Sequence, residues 1–129
     1  MVMADANTMI RCIIGDDEQK INELQEIRST QKIIYTVEVI AEVVYVLSKV
    51  YNVSRKDTSD AIQRFLKARN IVCHNYGIAQ KALQLFADNN LDFVDNILMA
   101  YNQLHGIKIY SYDRKLMNAI NRLDTFQGD

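Results

Sequence analysis

The chain has 129 residues, 49% hydrophobic and 24% charged, a composition that fits a compact globular domain with a real core and excludes a low-complexity or disordered chain. Its formal charge of −1 supplies no global field for a polyanion, so nucleic acid would have to be drawn by local basic clusters or bound cations. No apolar run approaches the roughly 20 residues of a membrane span, and no basic segment precedes an apolar one at the N-terminus, which predicts a soluble cytoplasmic protein with no membrane partner.

In chain order, "MVMA" reads as a short strand that ends at Asp5, and "NTMIRCII" as a short helix stopped by the turn residue Gly15. Asp16 and Asp17 then cap the helix "EQKINELQEI". "KIIYT" is a second strand. The stretch "TVEVIAEVVYVLSKVY" keeps Val37, Ile40, Ala41, Val44, Leu47 and Val50 near a 3.6-residue period, and in "SRKDTSDAIQRFLKAR" Ile62, Phe65 and Leu66 share a face. "NIVCH" is a third strand, followed by helices at roughly 76–88 and 92–105. Gly106 suits a left-handed stop before a fourth strand, "IKIYSY", and a last helix falls near 114–122. The absence of proline suits uninterrupted helices, and Cys12 and Cys73, far apart in apolar contexts, read as reduced buried thiols.

Alternating strands and helices predict an α/β domain over residues 1–129, with a parallel sheet, helices on both faces and any site beyond the carboxyl ends of the strands. Asp5, Glu42, Asp92, Asp95 and Asp113 can all reach that rim. Carboxylates gathered there repel one another unless cations neutralise them, and oxygen ligands alone suit Mg²⁺ or Mn²⁺. Such ions bind phosphate oxygens and make hydroxide from bound water, so phosphodiester hydrolysis is the natural reaction.

Plainer roles compete for the same residues. Asp92 and Asp95 have the spacing of an N-cap and an acid at N3, and Asp113 is equally placed to cap the helix that starts at Arg114. Glu38 and Glu42 share a helix face; Glu38 suits the first-turn dipole, while Glu42, beside Val43 and Val44, is the better ligand. Arg55, Lys56, Arg64, Lys67 and Arg69 form either an RNA-binding face or an ordinary solvated one, and Arg114 and Lys115 are better placed to meet a scissile strand. His74 and His105 have no partner pattern, and Tyr45, Tyr51 and Tyr101 suit core or dimer surface.

The stretch "DANTMIRCIIGDD" resembles the opening motif of PIN-domain ribonucleases, "VIAEVVYVLSKVYNVSR" their Glu-bearing helix, and "LDFVDNILMAYNQLHGIKIYSYDRKL" their closing motifs. The ordered set spans nearly the whole chain and resembles the VapC-type toxins of toxin–antitoxin pairs in particular. The resemblance implies a three-layer α/β/α fold with a central, mainly parallel sheet of about four to five strands. It also implies a metal-dependent endoribonuclease with RNA as substrate, a homodimer, and a cognate antitoxin that inserts a basic side chain among the acids. It makes Asp5, Asp95 and Asp113 ligands of Mg²⁺ or Mn²⁺, with Glu42 ligating or positioning the attacking water. Asn7 would hold the first turn, Ser111 precedes the fourth acid where Thr or Ser is usual, and Asp92 is a cap first. Asn96 and Met9 depart from the family pattern without touching a proposed ligand.

Two alternatives come from other classes. "RCIIGDDEQKINELQEI" also resembles the opening of a phospho-acceptor receiver domain, but the acid in "DFVDNILMA" follows the pair by too many residues and leaves too little chain. A PIN-like module that only binds is the other, and the full set of acids argues against it.

Overall fold

A computed structural model describes residues 1–128, with side chains described through Leu123. The elements are β1 (Val2–Met3), α1 (Ala6–Ile14), α2 (Glu18–Thr30), β2 (Ile33–Tyr35), α3 (Val37–Tyr45), α4 (Arg55–Leu66), β3 (Ile71–Cys73), α5 (Tyr76–Asp88), α6 (Phe93–His105) and α7 (Arg114–Gly128). A π-helical turn, Val46–Val50, continues α3. The strands form one parallel sheet in the order β1-β2-β3, with Val2 opposite Ile33 and Ile33 opposite Ile71. No helix among the described residues is long and apolar enough to cross a membrane.

The helices start where polar caps permit. Oxygens of Asp5, Asp17, Thr36, Ser54 and Asp113 accept the N–H of a residue three positions on, each such cap contributing about 1 kcal/mol. Gly15 and Gly106 close α1 and α6 at φ +76° and +66°, where a Cβ would be strained. Between the helices and the sheet, Met9, Ile33, Tyr35, Ile40, Val43, Leu47, Ile62, Ile78 and Leu83 are fully buried. Each contributes roughly 1.5–3 kcal/mol by leaving water. Cys73 is buried and Cys12 half-buried, both as free thiols, and burial pushes the Cys73 thiol up to about 11, away from reactivity.

The sheet has three strands among the described residues, not four to five, and the fourth expected strand does not form. Residues 108–112 keep a two-residue alternation, with Ile109 and Ser111 half-buried and Lys108, Tyr110 and Tyr112 exposed, whereas Ile107 before them is exposed as well. The apolar side of that alternation is spent elsewhere. Ile109 packs on a second cluster, Leu91, Met99, Leu116 and Ile120, between α6 and α7, so the segment satisfies its pattern without joining β1.

The turn between α5 and α6 is held by a polar node. Arg55, at the start of α4, donates from Nε to the Phe86 carbonyl at 2.9 Å, and from Nη2 to Asn89 Oδ1 at 3.3 Å and to the Leu91 carbonyl. Its guanidinium also lies 3.7 Å from the centre of the Phe86 ring. Asn96, fully buried in α6, donates from Nδ2 to Asn89 Oδ1, Leu91 O and Asp92 O, and accepts from Asn89 Nδ2 at 2.6 Å.

Because lysine cannot span these three acceptors with one fork, Arg55→Lys is expected to destabilise the fold by about 1–3 kcal/mol. A urea unfolding curve followed by circular dichroism should show the lowered midpoint. An unchanged midpoint would mean that the node is dispensable.

Candidate active site

Each parallel strand reaches a polar residue within two positions of its carboxyl end, so the rim of the sheet collects Asp5, Thr36 and His74. Asp5 is exposed and caps α1, with Oδ1 accepting the Thr8 N–H at 3.2 Å. Thr8 donates its hydroxyl to the Asp5 carbonyl at 2.8 Å and, that proton being used, accepts from the Tyr35 hydroxyl at 2.7 Å. Burial pushes the Tyr35 phenol up to about 12, so it remains a donor throughout the physiological range. Thr8 therefore ties the Asp5 turn to the end of β2, and Asn7 beside it is exposed in the first turn of α1.

The start of α6 carries the clearest electrostatics. Asp92 occupies the N-cap position, yet its side chain makes no capping bond; its carbonyl accepts from the Asn96 amide and side chain instead. Asp95, half-buried one turn on, is held above the ordinary aspartate range, first by burial and then by the charges of Asp113 and Asp92. Lys115 opposes the rise, and its Nζ donates to the Asn90 carbonyl at 3.1 Å. Asp113 also caps α7 through the Leu116 N–H at 3.1 Å, and its own N–H donates to Ser111 Oγ at 3.0 Å. Residues from two separate segments, 92–95 and 113–115, thus share one electrostatic neighbourhood.

Glu42 does not lie deep, as its valine neighbours suggested. It is exposed, because successive side chains on a helix point about 100° apart, and Val43 and Val44 take the inward directions. Glu38 is exposed as well and lines a cleft of about 550 Å³ with His74, Asn75 and Tyr101. Neither Glu38, Glu42 nor Asp5 is among the charges that act on Asp95. Among the described residues, no three His, Cys, Asp or Glu side chains form a group that could hold a metal ion. Asp92, Asp95 and Asp113 do not form such a group, although they offer only oxygen donors, the chemistry a hard cation takes, and Asp95 feels the charges of the other two with Lys115 opposing them.

The other polar residues singled out from the sequence divide by use. Asp16 pairs with Arg11 and Asp17 caps α2, the plain roles read for them from the sequence. Arg55 is committed to the α5–α6 turn and is not free to meet RNA, whereas Lys56, Arg64, Lys67 and Arg69 are exposed. His74 and His105 are exposed, Tyr51 accepts from Arg11 at 2.7 Å, and Tyr101 accepts from Asn75 at 3.0 Å. A larger cleft of about 690 Å³ borders Asp92 and Asp95 and is also lined by Tyr45, Ser48 and Lys49. Asn96, noted only as a departure from a familiar pattern, positions both acids through the node; a polar side chain inside an apolar helix face was its one signal.

The family model for the PIN domain matches residues 2–122 of the chain. No curated protein and no solved structure matches it.

Since the folded chain binds the Asp95 proton more tightly than a free aspartate would, ionised Asp95 weighs against the fold near neutrality. That burden lifts as pH falls through the raised value. Asp113→Asn removes one repelling charge and is expected to lower the Asp95 pKa, read by carboxyl-carbon NMR titration. An unmoved titration would show that the two acids do not interact.

Proposed function

Starting from the fact that this chain belongs to the PIN-domain family, a nuclease fold, we propose that it is a metal-dependent endoribonuclease that hydrolyses RNA phosphodiester bonds. The observation that carries the reading is the raised Asp95, which couples the acids at the start of α6 to Asp113 at the start of α7. Asp5, Asp95 and Asp113 would hold Mg²⁺ or Mn²⁺, with Glu42 as a further ligand or as the group that positions the attacking water. Bound there, the cation would supply a hydroxide at neutral pH and relieve charge on the leaving oxygen.

This chain's own part is orientation and charge. Thr8 and Tyr35 fix the turn that presents Asp5, and the Arg55–Asn96 node fixes the first turn of α6 that presents Asp92 and Asp95. Ser111 receives the Asp113 N–H and steadies the approach to that acid. Lys115, already beside Asp95, and exposed Arg114 would meet the phosphates on either side of the cut.

Resemblance to the VapC-type toxins extends the proposal to a homodimer, acting in the cytoplasm, whose acids are covered by a cognate antitoxin. A basic side chain from that partner would find at Asp92, Asp95 and Asp113 a group already short of positive charge. Growth arrest on expression, reversed by co-expressing the product of a neighbouring small reading frame, would support the toxin role.

Asp5→Asn, Asp95→Asn and Asp113→Asn should each lower kcat/KM for single-stranded RNA at least about 100-fold while circular dichroism stays as in the wild type. EDTA should stop cleavage and Mg²⁺ or Mn²⁺ restore it. Cleavage that survives EDTA, or three variants as active as wild type, would sink the proposal. Between the two glutamates, Glu42→Gln should cost far more activity than Glu38→Gln.

A further inference from the structure

Tyr110 and Tyr112 are 85% and 89% exposed, more open than the other large hydrophobic or aromatic side chains of the described residues. Exposure of a single aromatic is ordinary, but these two stand as a pair on the segment that ends at Asp113. Their ring centres are 5.6 Å apart with planes at 68°, and the Tyr110 hydroxyl donates to that of Tyr112 at 3.1 Å. The mutual contact fixes the rings relative to one another while leaving most of their surface open. They share the outward side of the segment's alternation with Lys108, and Arg114 and Lys115 follow directly after Asp113.

We propose that Tyr110 and Tyr112 are a stacking platform for the bases of single-stranded RNA that is led past Asp113, with Lys108, Arg114 and Lys115 as its phosphate contacts. The proposal rests on the ribonuclease reading for its choice of strand. Three features favour a single strand over a protein partner. The rings are flat faces that every base can meet, positive charge flanks them on both sides, and the platform leads without a break into a proposed reaction centre. The rings need little ordering on binding, because they already brace each other. A duplex keeps its bases stacked internally and so gains nothing from them.

The chain has no tryptophan, so its intrinsic emission comes from tyrosine, and a stacked base should quench it. The full chain carrying Asp95→Asn is titrated without metal with an eight-residue oligoadenylate, so that binding is read without cleavage. Quenching is expected, with Tyr110→Ala and Tyr112→Ala each weakening binding about 5- to 100-fold and duplex RNA binding weakly. Tyr110→Phe keeps the ring and should keep the affinity. In the active chain the alanine changes should raise KM for single-stranded RNA. Unchanged affinity in the double alanine variant overturns the platform, as does a fall from dimer to monomer in sedimentation with RNA affinity intact, which assigns the pair to self-association. Failure of the wild type to cleave RNA with metal present counts against the ribonuclease reading alone, because the quenching experiment needs no cleavage.

Discussion

The start of α6, with its two acids, depends on one guanidinium. Arg55 reaches from the first residue of α4 to the end of α5 and the turn beyond it, taking up the Phe86 and Leu91 carbonyls and the Asn89 side chain, which in turn locks against buried Asn96. A half-buried network of this kind is favourable only when each member is satisfied, because a stranded donor in a low-dielectric setting costs more than a good bond contributes. Burial pulls the Arg55 pKa down and Asp92 pulls it back up. The residue that orders the turn therefore also offsets part of the negative charge gathered at its end.

Local patterns made much of this legible. The 3.6-residue spacing marked α3 to α6, Asp17 and Gly106 announced a start and a stop, and the apolar runs around Val2, Ile33 and Ile71 are the strands observed. What failed were inferences about what lies across from a residue. Alternation in residues 107–112 looked like a strand, but alternation reports only that one side is apolar, and here Ile109 meets the α6–α7 cluster rather than a sheet neighbour. The valines beside Glu42 said that the helix is buried on one face, not that residue 42 points there. Arg55 read as one cation in a basic run, since its partners lie 31 to 36 positions away and no short-range pattern records them.

The plain and the chemical readings of the acids turn out not to exclude one another. Asp5 and Asp113 are helix caps, each giving one oxygen to an amide three residues on, and that duty fixes the carboxylate without using it up. Asp92 is the reverse: it holds the cap position, but its carboxylate is free of the capping bond and acts on Asp95 and Arg55. A capping carboxylate keeps its second oxygen open to another partner.

All four of these aspartates sit at or inside the first turn of a helix: Asp5 opens α1, Asp92 and Asp95 open α6, and Asp113 opens α7. Partial positive charge at a helix N-terminus favours a carboxylate by about 0.3–1 kcal/mol, which offsets part of the cost of placing acids there. The dipole is a fixed and modest offset, however, and it weakens within a turn. Asp95, the most enclosed of the set, feels burial and two neighbouring charges against a single lysine, and its carboxyl accordingly remains above the ordinary range. The balance of the site is thus left negative at the one position where water screens least. A positive group arriving there, whether a divalent ion or a partner's basic side chain, would meet a charge that the fold holds in place but does not itself neutralise.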